Sequence, residues 1–504
     1  MAGLSRFKAS FVLLLMGLLA QGSHSSLAQC ELDKLFADVP TTDEEFGLAV
    51  AIGGNYVAVG APRDDDRGAD AGAVYVFERV GIDWVKRTKI TATDGAEFDL
   101  FGSSVGISSE WLVVGAPAED TMAESAGAVY VFRRSGNSWT QFSKLNPING
   151  LEDDEFGLSV SLSGDYFIAG ARTDAAGNSS GSAYVYRWNG ISWRLEREIT
   201  PVDASEGDQF GFSVALSGDL AVIGARFDDE GGTDSGSTYL FRRSGTNWLQ
   251  ETKLLAMDNA IGDEFGVSVG TDGLRVIVGS RMANQGTEVS AGAAYIFHKV
   301  GANWVQQDRV TAPDAADNDQ FGISVAIDGD EAIIGSWQDD DAGFSTGAMY
   351  PFVRSGNDWT LMTKVIASVP AAQDEFGFAV AIDGDYAVVG SPGDDGTGLR
   401  TGSAYLFGVG GDCNNNANPD SCDIQAGFAL DFNNDGIPDE CLTVGDGDSD
   451  EDGDIDLRDV ARFQNCFVGV GGGIGVDCEV FDFGPDSDVD LGDYDALQPL
   501  LTGP

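Results

Sequence analysis

FGFSVALSGDLAVIGARFDDEGGTDSGSTYLFRRSGTNWLQETKLL, residues 210–255, contains four short segments of apolar residues alternating with polar ones, separated by Gly-rich turns. Alternation with a period of two is the pattern of half-buried strands, and no helical period competes with it. The stretch is one copy of seven. Its opening Phe-Gly recurs at Phe46, Phe101, Phe156, Phe210, Phe265, Phe321 and Phe376, in steps of 55, 55, 54, 55, 56 and 55 residues. A regular period of this length marks a repeat architecture whose units cannot bury their apolar faces alone. Four antiparallel strands per unit, repeated radially, predict an all-β, seven-bladed β-propeller.

Spacing inside the unit is stricter than its length. From each Phe to the Gly of the next motif (Gly60, Gly115, Gly170, Gly224, Gly279, Gly335, Gly390) there are always 14 residues. From the Gly opening the third strand to the Trp opening the fourth (Trp84, Trp139, Trp193, Trp248, Trp304, Trp359) there are always 12. Only the loop between the second and third strands varies, which predicts that it lies exposed on one face. The six Trp residues read as inter-blade packing. The seventh unit has no Trp strand, whereas Lys34 stands 12 residues before Phe46, as Lys89, Lys144, Glu198, Lys253, Arg309 and Lys364 stand before theirs. Residues 32–37 are therefore expected to pair into the last blade and close the ring, removing an open sheet edge.

These motifs resemble the FG-GAP repeat family, the propeller type of integrin α-chain heads, over about residues 30–411. The family's second motif stands as Gly60-Ala61-Pro62 and Gly115-Ala116-Pro117; later copies depart from it, as in Gly170-Ala171-Arg172 and Gly335-Ser336-Trp337. The resemblance implies a binding or adhesion module. Integrin-type blades often carry a calcium loop between strands one and two. Here that link is a tight turn such as Ser163-Gly164-Asp165, too short to wrap an ion, so no calcium is expected on the blades.

Residues 1–28 read as a secretory signal: Arg6 and Lys8, the apolar run FVLLLMGLLA, and a small-residue cleavage site at Ser26-Leu27-Ala28. The mature chain is expected to be secreted, extracellular or at the cell surface, without a membrane span. Lipid anchoring at Cys30 is not expected, because Gln29 occupies a place where a lipoprotein box needs a small residue. The whole chain carries 81 acidic and 29 basic residues, a net charge of −52. This argues against nucleic acid and anionic lipid as partners. A solubilising acidic surface and a functional acidic face both fit the composition.

The propeller's charges segregate by connection. Links from strand four to strand one are acidic (LEDDEF at 151–156), as are several between strands two and three (Asp64, Asp65, Asp66; Asp228, Asp229, Glu230; Asp339, Asp340, Asp341). In an up-and-down blade these emerge on the same face. Short turns with Arg79, Arg133, Arg134, Arg187, Arg242, Arg243, Lys299 and Arg354 belong to the other. The acidic face is expected to carry any glycan or protein ligand site. Trp337 with Phe344, beside Asp339 and Asp340, breaks the repeat and is either a sugar-stacking platform or local packing.

His298 is the only His after the leader, so a Ser-His-Asp or Cys-His mechanism lacks its base. It reads as a surface residue of the repeat. A carboxylate pair acting on a polysaccharide remains an alternative.

Residues 445–504 carry a second domain. Asp448, Asp450, Asp452, Asp454, Asp456 and Asp459 occupy loop positions 1, 3, 5, 7, 9 and 12, with Gly453 at 6: an EF-hand-like calcium pattern. The domain resembles the bacterial type I dockerin module, which implies a small, mainly helical fold and a cohesin-like or other surface partner. Its second segment, Asp482, Asp486, Asp488, Asp490 and Asp493, is degraded by Gly484 and Ser487. Between propeller and tail, residues 412–444 contain two copies of an Asn/Asp/Cys frame, the second with Asp431, Asn433, Asp435 and Asp439. The frame resembles thrombospondin type 3 calcium repeats; a disordered linker is the other reading. Six cysteines in an exported chain favour disulfides. Cys466 with Cys478 is the expected pair, and Cys30 is expected to reach the 413–441 segment because both flank the last blade.

The sequence thus describes an exported, calcium-binding scaffold: propeller for ligand, tail for attachment. A polysaccharide hydrolase or lyase delivered by the same tail, and a structural surface component, are the alternatives.

Overall fold

The computed structural model describes residues 29–37, 41–173, 179–396, 398–410 and 419–428. It forms seven four-stranded antiparallel sheets, the blades of a closed ring. Blade 1 shows the plan: strands β2 (Ala49–Gly53), β3 (Tyr56–Ala61), β4 (Ala73–Val80) and β5 (Asp83–Ile90) lie side by side in chain order. The last blade takes its outer strand from the chain start. β1 (Cys30–Leu35) pairs antiparallel with Ser403–Gly408, Lys34 opposite Tyr405; the spacing predicted a closing strand, but over residues 32–37, two residues farther along.

In six of the seven copies the Phe-Gly pair precedes the first strand and does not belong to it; only in blade 4 does the strand begin at Phe210. Each described Phe is fully buried and meets the third-strand Tyr edge to face, as Phe46 meets Tyr75 at 5.2 Å and Phe265 meets Tyr295 at 5.4 Å. The Gly of the pair donates its N–H to the second-strand Gly of its own blade, Gly47 to Gly60 and Gly102 to Gly115 at 2.9 Å. That second-strand Gly faces the next blade. A Cβ on Gly115 would lie 1.9 Å from the Gly157 carbonyl oxygen, and one on Gly390 would lie 1.9 Å from that of Gly47, across the ring closure. The constant 14-residue spacing therefore satisfies two contacts at once, one within a blade and one between blades.

Alternation is seen at the start of outer strands, where Trp84 is buried between exposed Asp83 and Val85, but not in the second strands. WLVVGA at 111–116 and YFIAGA at 166–171 are buried at every residue. Blades stack face to face, so a middle strand has a neighbour on both sides: Tyr56 and Ala58 pack toward blade 2, while Val57 and Val59 pack toward blade 7. The repeated Trp residues fill these interfaces. Trp139 stands edge-on to Tyr56 at 5.7 Å, and Trp84 to Tyr386 at 5.8 Å.

The closing blade has no Trp. In its place Cys30 is disulfide-bonded to Cys422 on a short helix, α1 (Asp420–Ala426), which follows Pro419 and ends at Gly427 in the left-handed conformation. The Gln425 amide donates to the Leu32 carbonyl at 3.2 Å. The Cys30 sulfur is thereby engaged with the 413–441 segment, as the sequence suggested. The helix itself lies inside the frame read as calcium repeat or linker. Among the described residues no helix is long and apolar enough to cross a membrane.

Candidate functional site

Seven connections from a fourth strand to the next first strand build one face of the disc. Each carries a buried carboxylate two residues before its Phe: Glu44, Asp99, Asp154, Asp208, Asp263, Asp319 and Asp374. Each accepts the backbone N–H three residues upstream, at 2.6 Å for Asp374 and 2.8 Å for Asp99. These acids are loop pins. Burial raises the carboxyl groups of Asp99, Asp208, Asp319 and Asp374 to about 6, with the backbone N–H working against the shift and neighbouring carboxylates adding to it.

A folded pKa above the unfolded value of about 3.9 means that the folded chain binds more protons between roughly pH 4 and 6, so stability falls as pH rises through that window. Salt-bridged acids such as Asp394, whose carboxyl is lowered, act in the opposite sense and at more acid pH. The thermal midpoint at pH 5 is therefore expected to exceed that at pH 7. Asp319→Asn should reduce this difference; equal midpoints for the parent at both pH values would refute the account.

The residue directly before each Phe adopts a left-handed conformation, φ near +55°, although none is Gly: Glu45, Leu100, Glu155, Gln209, Glu264, Gln320 and Glu375. Each such residue costs on the order of 1 kcal/mol. The turn lets the backbone dock onto the preceding blade's variable loop, as Leu100 N–H does on the Asp70 carbonyl at 3.2 Å. Five of these side chains, Glu45, Glu155, Gln209, Glu264 and Gln320, meet residues just past the second strands. Arg172 pairs with Glu155 at 2.5 Å and Arg281 with Glu264 at 2.9 Å. Arg226 reaches both Gln209, at 2.9 Å, and Glu264, at 3.9 Å. Arg400 bridges Glu45 and Glu375 across the closure, at 3.7 and 3.8 Å.

Arg226 also lies 3.8 Å above the Phe212 ring, and Phe212 lines the central channel with Leu48, Leu158, Val267, Ile323 and Phe378. The channel cavity is about 240 Å³. Its mouth on the acidic face is thus a belt of guanidinium, amide and carboxylate groups above an apolar neck. Burial pulls Arg226 down to about 10, partly offset by Glu264, and raises Glu45 and Glu375 against the pull of Arg400.

Farther out, the acidic loops hold lysines. Lys364 donates to Asp314, Asp339 and Asp341 at 2.9, 2.6 and 2.7 Å. Lys253 does the same to Asp203, Asp228 and Glu230 at 2.9, 2.7 and 2.6 Å. Lys89 and Lys144 each hold two acids in the same way, and Lys34 holds Asp394. Asp314, Asp339 and Asp341 form the one described trio of carboxylates close enough to hold a metal, and the Lys364 ammonium already sits among them. Arg309 pairs with Asp258 in blade 5, while blade 3 has Glu198 at this position.

Of the ligand candidates, Asp339 is 2 % exposed and bonded to Lys364 and Tyr350, so it is a packing element; Asp340 is exposed beside it. Trp337 belongs to the channel mouth, its N–H on Gln320 at 3.1 Å and its ring edge-on to Phe378. Phe344 is 68 % exposed on the variable loop and forms no ring pair with Trp337, so the two do not make one platform. The calcium candidates from Asp431 to Asp493, the pair Cys466 and Cys478, and the leader lie outside the described residues. The seven-residue column before Phe was readable in the sequence as E, L, E, Q, E, Q, E, but nothing in spacing shows that it surrounds an axis.

A search of curated proteins finds no match. The family model described as FG-GAP repeat matches residues 31–77, 84–132, 139–186, 193–241, 248–297, 304–352 and 359–407. Each match begins in an outer strand and runs through three strands of the following blade, the same offset by which β1 completes the ring. The family is a binding or adhesion module in type, and this chain belongs to the FG-GAP repeat family.

Proposed function

We propose that the protein is an exported, non-catalytic binding scaffold that presents the acidic face of its propeller to a glycan or protein ligand and attaches through a calcium-folded, dockerin-like tail. The channel mouth carries this reading. It is the place where polar groups from six of the seven repeats converge on an apolar cavity, the combination that ligand sites use for orientation and affinity. The four aspartates whose carboxyl groups are raised to about 6 are buried under the loops and tied to backbone N–H groups, which favours a packing role for them. Helix α1 lies beside Arg79 and Ile82, residues of the opposite face.

The test is a binding screen of the full chain against glycans and surface proteins, in calcium and in chelator, beside an Arg226→Ala/Glu264→Gln variant. Ligand retained without turnover, and lost in the variant, supports the scaffold. Release of reducing sugar would overturn the non-catalytic reading, and calcium titration unchanged by Asp448→Asn/Asp450→Asn would overturn the calcium tail.

A further inference from the structure

The opposite face holds a cleft of about 440 Å³ between blades 4, 5 and 6. Arg242, Arg275, His298, Lys299 and Arg354 line it, with Trp304, Gln307 and Asn357 among its other walls. No carboxylate lines it, in a chain where acids outnumber bases 81 to 29. Acids beside the cleft pair with these cations and hold them in place. Glu251 anchors both Arg242, at 2.7 Å, and Lys299. Asp330 anchors both Arg275, at 3.2 Å, and Arg354, and Asp272 takes the other side of Arg275 at 2.9 Å. The cleft is thus lined by two pairs of pre-positioned cations, one pair on each carboxylate. His298, which reads from sequence as a plain surface residue, is half-buried, and its Nδ1 is buried without a hydrogen-bond partner.

We propose that this cleft binds an acidic oligosaccharide, its carboxylate or sulfate groups on the cation pairs and its hydroxyl groups on Gln307, Asn357 and His298. Positioned guanidinium groups favour planar oxyanions. An indole beside amide groups suits the alternating apolar and hydroxylated surfaces of a sugar. The volume falls in the range of small-ligand sites. Charge selects the polymer class: a net −52 repels a densely charged nucleic acid or anionic membrane at long range, whereas a short saccharide with one charge per residue enters at small cost.

Calorimetric titration of the full chain with trigalacturonate, a galactose trimer carrying sulfate, and neutral galactotriose tests this and separates the two anion sources. At least one acidic trimer should bind, more weakly as salt rises, and the neutral one should not. Arg242→Ala/Arg354→Ala should weaken binding about tenfold or more, the loss of two charge-assisted contacts. Each substitution leaves its carboxylate one cation, Lys299 on Glu251 and Arg275 on Asp330, so the fold is retained. Arg226→Ala at the channel mouth should leave the affinity unchanged. Equal binding of the neutral trimer, no binding of either acidic trimer, an unaffected double variant, or cross-linking of the cleft to the chain's own acidic tail would overturn the proposal.

Discussion

Removal of residues 30–37 should lower the midpoint of thermal unfolding by about 10 °C or more and broaden the transition. The segment supplies the whole outer strand of the closing blade. Lys34 donates to Asp394 at 2.7 Å, and Asp394 also receives the Tyr405 and Ser403 hydroxyl groups while remaining 3 % exposed. Without the ammonium a buried carboxylate is left short of its countercharge, a loss of about 3–5 kcal/mol. Leu35, 3 % exposed in the cluster that joins blades 7 and 1, adds about 2 kcal/mol. The Cys30–Cys422 bond, which links residues 392 apart, adds about 2–5 kcal/mol. At roughly 1–2 °C per kcal/mol for a chain of this size, the sum reaches the stated shift. Cys30→Ala alone should give a smaller fall, because the ladder from Glu31 to Leu35 survives. A truncated chain that melts like its parent would mean that the ring holds through Phe46 and Gly402 without its closing strand.

How much was legible follows from which contacts are local. The repeat, its four strands and the displaced outer strand were readable because they depend on spacing along the chain; the 12 residues from Lys34 to Phe46 predicted that this segment joins the last blade, where Lys34 stands opposite Tyr405. Burial on both faces of strands such as WLVVGA was not readable as alternation, because the second neighbour comes from another repeat. The acid runs were legible as a face but not as pockets. Asp339 looked like a ligand group, yet its partner, Lys364, comes from the segment after the fourth strand, 25 residues later, and the third acid of that pocket, Asp314, precedes the blade altogether. The cationic turns were likewise visible as a column. The cleft that joins Arg242, Arg275 and Arg354 draws on three blades, a juxtaposition made by ring closure rather than by any segment.

Lys364→Ala should be among the most costly single changes on the acidic face, about 3–5 kcal/mol, because it leaves the buried Asp339 facing Asp314 and Asp341 without a cation. Tyr350 cannot compensate: its single hydroxyl proton is already shared within the same pocket, between Asp339 at 2.7 Å and Asp314 at 2.9 Å. Against the upward push of burial, the hydrogen bond from Lys364 holds the Asp314 carboxyl below its ordinary range, and that support disappears with the lysine. The vacated centre is surrounded by carboxylate oxygens within 4.8 Å of one another, a spacing that a divalent cation can span with oxygen ligands at 2.3–2.6 Å, as calcium prefers. Calcium should therefore restore stability to the variant, by about 2.7 kcal/mol at a hundredfold excess over its dissociation constant. Melting curves of parent and variant, each with calcium and with chelator, isolate this effect, since any calcium response of the tail is common to both chains. A variant destabilised without calcium and rescued with it would show that the lysine ammonium serves as the pocket's built-in cation. A variant with the parent's midpoint in chelator would show that the trio is relieved by solvent, and Lys253→Ala, which exposes the matching trio Asp203, Asp228 and Glu230 in blade 4, should then be equally silent.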